Sequence, residues 1–369
     1  FGARLFLAYY GLSAGHTFGI SIYDVSVPTA PTLLSAMRLD ATPPGLDYQN
    51  DRLYGIVDGE GVVIYDVADR SNPTTAGVMT GMSLPVALEV RGDRAYVADY
   101  DGKVWVYDLS GPAPVDIDQL SVAGQPHSVA VCGGRIYVAA RSAGVHALDV
   151  SPEGVLSLAY TWQPDAGDFQ DAVVQGDTVY TADRLGEFYA LEVREASSAS
   201  ILGSWTMPDV NCWGLCEAGD IVYAACGGTN DGLYPIDVSD PSNPIALAHL
   251  SSTSIGYNVA VSGGEVYVAA HDQGVLIVDV DFLRGAMTQE FHGDTRYETA
   301  ARISQAAYPR SAARVVLTTG SNWPDALGGA ALAGAYDAPI LLCEPDSLPA
   351  ATAAEITRLG VKQVTILGG

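Results

Sequence analysis

A sequence pattern about 42 residues long recurs seven times in the first three-quarters of the chain. Each copy holds a segment centred on an aromatic residue, a glycine-containing turn, and an apolar segment ending in an acidic residue. These acids are Asp24, Asp66, Asp108, Asp149, Glu192, Asp237 and Asp279, and the aromatic residues are Phe6, Tyr54, Tyr96, Tyr137, Tyr180, Tyr223 and Tyr267. The acids are 42, 42, 41, 43, 45 and 42 residues apart. This regular period restricts the chain to a repeat architecture with one structural unit per copy.

The segments of each copy have the composition of short β-strands. In the copy at residues 258–280, three segments rich in Val, Ile and Tyr are separated by turns such as Gly263-Gly264. A fourth strand is expected after a turn rich in Pro, Ser and Asn, as at Ile245–Leu250. Four antiparallel strands per unit are typical of a propeller blade, which buries both faces only by stacking on its neighbours. Residues 1–285 are therefore predicted to form an all-β, seven-bladed β-propeller.

The repeat is incomplete at both of its ends. The first copy begins at its second strand, near Arg4–Ala8, and the seventh stops after its third strand, at Val280. We expect an incomplete first blade, with an upstream segment supplying its inner strand and the outer strand of the last blade. Because the chain starts at Phe1 without a leader and stops at Gly369, we interpret it as a fragment.

The repeat resembles the LVIVD-repeat family of surface propellers. The signature residues are Leu-Ile-Val-Asp at 276–279 and, less closely, Val-Ile-Tyr-Asp at 63–66. The resemblance covers roughly residues 1–285 and implies the fold, but it identifies neither a ligand nor an activity. For the acid of each copy we predict a side chain that caps the following turn.

After residue 285 the pattern changes to alternating helices and strands. Thr295 and Glu298 form a capping box for a helix from about Arg296 to Tyr308. Further helices are predicted to start at Pro324 and Pro349, and strands are predicted at 314–319, 339–343 and 363–367. Strands separated by helices build a parallel sheet, so residues 286–369 are predicted to be a separate, partial α/β module.

This tail resembles the type 2 cell-wall-binding repeat. The matching blocks are GDTRYETA at 293–300, TGSNWPDAL at 319–327, APILL at 338–342 and ILGG at 366–369. The family implies non-covalent attachment to anionic wall polymers by modules acting in sets of three, whereas this chain holds one copy, truncated at its C-terminus. Candidate polymer contacts are Arg296, Asn322, Trp323 and Asp325. The N–H groups after Asn322 offer an anion site, although Asp325 in the same helical turn complements the helix dipole itself.

The charge of the chain differs between its two parts. The whole sequence has 18 basic and 43 acidic residues, a balance that repels nucleic acid and anionic lipid. Of these, 12 basic and 35 acidic residues precede position 288, leaving 6 and 8 in the tail. An anionic polymer is therefore repelled by the first part and tolerated by the second. We expect an extracellular, cell-wall-associated protein without membrane insertion.

The five cysteines lack the paired spacing of a zinc site, and we predict no metal. Cys212 and Cys226 fall on adjacent predicted strands of one hairpin. Two interpretations remain open for this pair: two buried free thiols, or a cross-strand disulfide in an oxidising compartment.

One mouth of the predicted propeller channel varies from blade to blade while the strands repeat. Alignment of the copies on their tyrosines places His127, Gln170, Trp213 and Tyr257 at one position, and Asp171 and Asn258 at the next. The turns on the same side add Arg141, Arg184 and His271. Variation on a rigid scaffold is typical of a binding face, so we predict a ligand site here. The alternative is a ring of ordinary solvated loops.

Two classes of function follow from these observations. The first is a wall-anchored adhesion protein that binds a protein or glycan ligand with its propeller. The second is a secreted, wall-associated hydrolase with a catalytic site at the channel mouth. The sequence contains no Gly-x-Ser-x-Gly, His-Glu-x-x-His or phosphate-loop motif, and no catalytic residue or cofactor is assigned.

Overall fold

The computed structural model describes residues 4–10, 18–41, 43–194, 197–207, 210–228, 232–252, 256–270, 274–280, 295–308, 311–319, 332–334, 336 and 338–367. The chain divides into two compact units, Phe1–Met287 and Thr288–Gly369. Within the described residues, no helix has the length and apolar composition needed to cross a membrane.

The described part of the first unit contains seven antiparallel sheets whose strands follow one another in sequence order. The first three sheets comprise β1 (Arg4–Tyr10), β2 (Phe18–Asp24), β3 (Thr32–Leu39); β4 (Leu46–Gln49), β5 (Arg52–Val57), β6 (Gly61–Asp66), β7 (Thr74–Met79); β8 (Pro85–Arg91), β9 (Arg94–Asp99), β10 (Lys103–Asp108) and β11 (Val115–Ser121). The fourth and fifth comprise β12 (Ala130–Cys132), β13 (Arg135–Ala139), β14 (Val145–Val150), β15 (Leu156–Trp162); β16 (Phe169–Gln175), β17 (Thr178–Asp183), β18 (Glu187–Glu192) and β19 (Ser200–Thr206). The last two comprise β20 (Val210–Ala218), β21 (Ile221–Gly228), β22 (Gly232–Asp237), β23 (Ile245–Ala246), β24 (Leu250–Ser251); β25 (Gly256–Ser262), β26 (Glu265–Ala270) and β27 (Gly274–Asp279).

These sheets are the blades of a seven-bladed β-propeller, as the repeat predicts. The repeated tyrosines lie in the second strand of their blades and are at most 7% exposed. Apolar clusters join each sheet to the next, as where Ile56 and Val62 of one blade pack with Val97 and Trp105 of its successor. The core thus lies between blades, because neither face of a single sheet is otherwise covered.

Hydrogen bonds between inner strands add a polar connection to this packing. Four side chains each accept the backbone N–H of a residue in the inner strand of the next blade: Asp47 from Val90 at 2.6 Å, Glu89 from Val131 at 2.8 Å, Ser128 from Ala172 at 3.0 Å and Asp171 from Leu215 at 2.8 Å. We call these four pairs the inter-blade clamps. Each one satisfies a backbone donor that the strand ladder leaves free.

The repeated acids cap turns, as predicted. Asp24, Asp66, Asp108 and Asp237 each accept a backbone N–H two residues further on, at 2.8 to 3.0 Å. Asp149 pairs with Arg135 at 2.7 Å, and Asp24 and Asp66 likewise pair with Arg4 and Arg52 in addition to capping their turns. The acid at the end of the third strand therefore has a local structural role in at least four blades.

The outer strand of the sixth blade departs from the prediction. Instead of one strand over Ile245–Leu250, the short strands β23 and β24 both pair with β22. Pro235 lies in the middle of β22 and has no N–H to donate to an outer neighbour, although its carbonyl accepts Leu247 N–H at 2.8 Å. The missing donor interrupts the ladder at that point.

The two cysteines of the sixth blade face each other. Cys212 on β20 is directly opposite Cys226 on β21, and both are at most 1% exposed. Both are free thiols, hydrogen-bonded to each other, and this bond together with burial raises the pKa of Cys212.

We expect Cys212 and Cys226 to resist thiol reagents in the folded protein, because a buried, protonated thiol is a poor nucleophile. Titration with a chromogenic disulfide reagent should detect at least two fewer thiols in buffer than in concentrated guanidinium without reductant. Cys216 can add a third, because burial raises its pKa to about 12. The half-buried Cys132 provides the internal reference. If the two thiols became reactive only after reduction, the free-thiol state would be wrong for the isolated protein.

The second unit holds helices α1 (Arg296–Ala307) and α2 (Ala350–Leu359) and strands β28 (Arg314–Thr319), β29 (Ile340–Cys343) and β30 (Gln363–Leu367). The strands form a parallel sheet in the order β29-β28-β30, as predicted for an α/β module. The Thr295–Glu298 capping box is present, and Gly360 ends α2 in the left-handed conformation with φ of 67°. The helix predicted from Pro324 lies outside the described residues.

Candidate functional site

A β-bulge at the start of the inner strand recurs in four blades. The register shifts between Pro85 and Ala87, Phe169 and Asp171, Cys212 and Gly214, and Gly256 and Asn258. The extra residues at these shifts are Val86, Gln170, Trp213 and Tyr257, three of which the sequence alignment selects. A bulge turns a side chain out of the strand pleat, so this position is free to vary without disturbing the ladder.

Arg141 and Asp168 connect the fourth and fifth blades. Arg141 lies in a turn with φ of 57°, and its backbone exchanges hydrogen bonds with Phe169. Its guanidinium binds Asp168 in a bidentate manner, with Nε to Oδ1 and Nη2 to Oδ2 at 2.9 Å. Arg184 of the next turn approaches the same carboxylate, with Nη1 at 3.8 Å from Oδ2. Two guanidinium groups therefore share one carboxylate.

Gln170 lies fully buried beside this pair. Its Nε2 donates to Asp168 Oδ1 at 3.0 Å, while its Oε1 is buried without a hydrogen-bond partner in the described structure. Its backbone carbonyl lies 3.0 Å from His127 Nδ1. Because a carbonyl only accepts, Nδ1 must carry the proton and Nε2 is left as an acceptor. Burial lowers the pKa of His127, with Arg141 contributing in the same direction, so the ring is neutral near pH 7.

Aromatic contacts extend the arrangement to both sides. Arg184 lies over the Trp213 ring at 4.7 Å, and Trp213 contacts Tyr257 edge to face at 5.6 Å. On the other side Tyr100 contacts His127, with ring centroids 6.4 Å apart. We call the continuous set of eight residues the mouth cluster: Tyr100, His127, Arg141, Asp168, Gln170, Arg184, Trp213 and Tyr257.

A cavity of about 320 Å³ adjoins the cluster at Tyr100 and His127. Its other lining residues are Pro44, Asp58, Leu84, Pro85 and Val86. The mouth therefore has a largely apolar side, formed by the second and third blades and carrying Asp58 and Tyr100, and a polar and aromatic side, formed by the fourth to seventh. Such a combination is typical of a small-ligand site.

The predicted site residues divide into two groups. His127, Arg141, Gln170, Arg184, Trp213 and Tyr257 come together in the mouth cluster. Asp171 is used in an inter-blade clamp, and Asn258 Oδ1 accepts the N–H of the following Val259 at 2.8 Å. His271 lies outside the described residues.

The sequence analysis missed Asp168 and Tyr100, although both complete the cluster. Asp168 precedes the fifth blade's inner strand, and alignment on the tyrosines places Gln125, Asn211 and Ile255 at the same position, a set with no common chemical character to mark it. Tyr100 directly follows Asp99, in the turn opposite His127. Asp99 and Asp183 themselves accept backbone N–H groups of nearby turns, which gives them structural roles.

Acidic side chains line the inner strands below the mouth. Burial raises the pKa of Glu89 to about 7 and that of Asp171 to about 6, and it also raises the pKa of Asp47 and of Glu217. Charges on Asp47 and Glu217 raise the pKa of Glu89 further. No group of three or more metal-ligating side chains with suitable geometry occurs among the residues that the structure describes.

In the second unit the described residues show how the module holds its helices together. Glu355 on α2 is 1% exposed and accepts hydrogen bonds from Ser304 at 2.6 Å, Gln305 at 3.2 Å and Arg358 at 2.7 Å. Burial acts to raise the pKa of Glu355, but hydrogen bonds from Arg358 and Ser304 lower it overall. Of the predicted polymer contacts, Arg296 lies over the Tyr297 ring, and Asn322, Trp323 and Asp325 lie outside the described residues.

Comparison with known proteins identifies both parts. Residues 291–369 match the family Cell wall binding domain 2 (CWB2), and residues 86–116, 123–161, 219–249 and 256–281 match the LVIVD repeat. A segment of 77 residues, 21% of the chain, is 36% identical to the N-acetylmuramoyl-L-alanine amidase LytC of Bacillus subtilis (strain 168). It covers only 15% of that protein.

The fold of the first unit also has a counterpart among solved structures. The computationally designed Ika8 protein matches with a TM-score of 0.55 over 73% of this chain and 82% of its own, at 13% identity. That likeness concerns the fold alone. The chain carries LVIVD repeats in a seven-bladed β-propeller, followed by a C-terminal cell-wall-binding CWB2 domain that indicates association with the bacterial cell wall.

Proposed function

We propose that this protein is held on the bacterial wall by residues 286–369, which bind an anionic wall polymer, while residues 1–285 present the mouth cluster to an extracellular ligand. The match of residues 291–369 to the CWB2 family carries the first half of this proposal. The unequal charge of the two parts supports it, since only the tail tolerates a polyanion.

Attachment is tested by sedimentation with purified bacterial cell walls. The full chain should sediment with intact walls, and a chain ending at Met287 should stay in solution. Acid extraction of the anionic polymers from the walls should release the full chain, as should high salt if attachment is electrostatic. Equal sedimentation of both chains, or retention on extracted walls, would contradict attachment through the tail.

Ligand binding at the mouth is supported by six varied side chains brought into one contiguous cluster beside a cavity. The full chain should capture a ligand on arrays of glycans and peptides, and Trp213→Ala should abolish that capture. Trp205→Ala is a suitable control, because Trp205 packs among Tyr234 and its neighbours in the blade rather than at the mouth. If the Trp213→Ala variant still captured the ligand, the mouth would not be the ligand-binding site.

The alternative function is a wall-associated hydrolase acting at the same mouth. It predicts released product when captured glycans or peptides are incubated with the full chain. The adhesion function predicts capture without any turnover.

A further inference from the structure

We propose that the ligand of the mouth cluster is a carbohydrate bearing a carboxylate group, and that Arg184 binds this carboxylate. The inference rests on the proposed role of the mouth as a ligand site and specifies the chemistry of its ligand. It follows from the charge, the hydrogen-bonding capacity and the aromatic surface of the cluster.

The charge of the cluster comes first. Asp168 neutralises Arg141 through a bidentate contact and leaves Arg184 at 3.8 Å, so these three side chains together carry one positive charge in excess. Other arginines of this acidic propeller have a carboxylate of their own, as in the pairs Arg4–Asp24, Arg52–Asp66, Arg70–Asp51, Arg135–Asp149 and Arg194–Asp177. Arg184 Nε is, in addition, buried without a hydrogen-bond partner in the described structure. An anionic acceptor on a ligand would satisfy both the charge and this donor.

The orientation of Arg184 favours a planar anion. Its guanidinium lies over Trp213 at 4.7 Å, a cation–π contact that restricts the movement of the group. A planar fork of this kind matches the two oxygens of a carboxylate. A single excess positive charge suits a monoanion better than a phosphate dianion, because Asp168 and the acidic propeller around it repel additional negative charge.

The remaining polar groups favour a ligand that can both donate and accept hydrogen bonds. Gln170 Oε1 is fully buried and without a partner, and His127 Nε2 is an acceptor in the neutral tautomer. Tyr100 OH lies 3.5 Å from Arg141 Nη1, which donates to it and leaves the phenolic proton available. A sugar supplies several hydroxyl groups that both donate and accept, in a small volume. Tyr257 is 38% exposed beside Trp213 and adds an aromatic surface on which the apolar face of a sugar ring can pack.

The test uses the full chain and matched pairs of ligands. An array of oligosaccharides containing uronic and other carboxylated sugars is compared with the same array after methyl esterification. The ester removes the charge and keeps the sugar. The chain should bind at least one acid form, and its ester should bind at least tenfold more weakly, as expected for the loss of a charge-assisted hydrogen bond.

A matched pair of variants assigns the effect to Arg184. Arg184→Gln should weaken binding of the acid form at least tenfold and change binding of the ester less than twofold. Arg194→Gln serves as the control, because Arg194 is exposed and pairs with Asp177 at 3.2 Å away from the mouth. Circular dichroism and the thermal midpoint confirm that both variants fold.

Three results would overturn the inference: no carboxylated sugar is captured, acid and ester bind equally, or Arg184→Gln and Arg194→Gln behave alike. Capture of a peptide that is lost in Trp213→Ala would contradict the carbohydrate and leave the mouth as the ligand site. Capture of any ligand unaffected by Trp213→Ala would contradict the mouth itself. The failure of the inference is therefore distinguishable from failure of the proposed function.

Discussion

Gly144→Ala should lower the free energy of unfolding by about 3 kcal/mol or more, since a backbone clash adds to the cost of the left-handed conformation. Gly144 has φ of 85°, and a Cβ built on it would lie 2.2 Å from the carbonyl oxygen of Trp162 on the outer strand. That atom belongs to the backbone, so the blade has to shift. The same close approach occurs in other blades at Gly61 and Gly232, where the carbonyls of Met79 and Leu250 lie 2.2 and 2.1 Å away.

Gly133→Ala is the matched control for this prediction. Gly133 also has a positive φ, 59°, but nothing lies within 4 Å of its Cβ position, so only the conformational cost of about 1 kcal/mol applies. Urea denaturation followed by tryptophan fluorescence measures both variants. Equal destabilisation by the two substitutions would show that the outer strand does not restrict this position. Because Gly144 N–H also bonds Arg141 O, the Gly144 variant should in addition weaken ligand capture at the mouth.

Glu89→Gln should stabilise the protein at pH 8 by about 3 kcal/mol and change its stability little at pH 4. Burial raises the pKa of Glu89 from the ordinary 4.5 to about 7, despite the opposing effect of Arg91. The folded state therefore binds more protons than the unfolded state between these two values. The stabilising contribution of protonated Glu89 is complete below about pH 4.5 and is lost as the pH rises through about 7. A glutamine stays neutral and retains an oxygen to accept the N–H of Val131.

The measurement is urea denaturation of the parent and the variant at several pH values from 4 to 8. Asp171 titrates in the same direction, because burial raises its pKa to about 6, so the informative quantity is the difference between variant and parent at each pH. Asp93→Asn, which changes an exposed carboxylate in the turn after β8, is the control. A constant difference between Glu89→Gln and its parent across this range would show that Glu89 is not protonated in the folded state.

Much of the fold could be predicted from the sequence because its determinants are local and repeated. An aromatic residue in the second strand, tyrosine in six copies and Phe6 in the first, and an acid at the end of the third strand recur because each blade packs against its neighbours in the same way. The helices of the tail could also be predicted from the sequence, since the Thr295–Glu298 capping box and Gly360 define helix ends by short-range hydrogen bonds. The split outer strand of the sixth blade was not anticipated, because it depends on Pro235 in the adjacent strand β22.

The candidate site could be predicted only in part. Alignment found the varying position occupied by Gln170 and Trp213, because the bulge recurs at a fixed distance from the tyrosine. It could not find Asp168, whose importance comes from contacts with Arg141 and Arg184 of two different turns. Alignment also could not show that Asp171 lies outside the mouth cluster. The hydrogen bond of Asp171 to Leu215 spans 44 residues and exists only in the folded propeller.

The inter-blade clamps have a common direction along the chain. In each, the accepting oxygen belongs to the earlier blade and the N–H to the later one. A polypeptide that is synthesised and exported from its N-terminus thus presents every acceptor before the matching donor emerges. Each new blade can then dock onto acceptors that the preceding blade already presents.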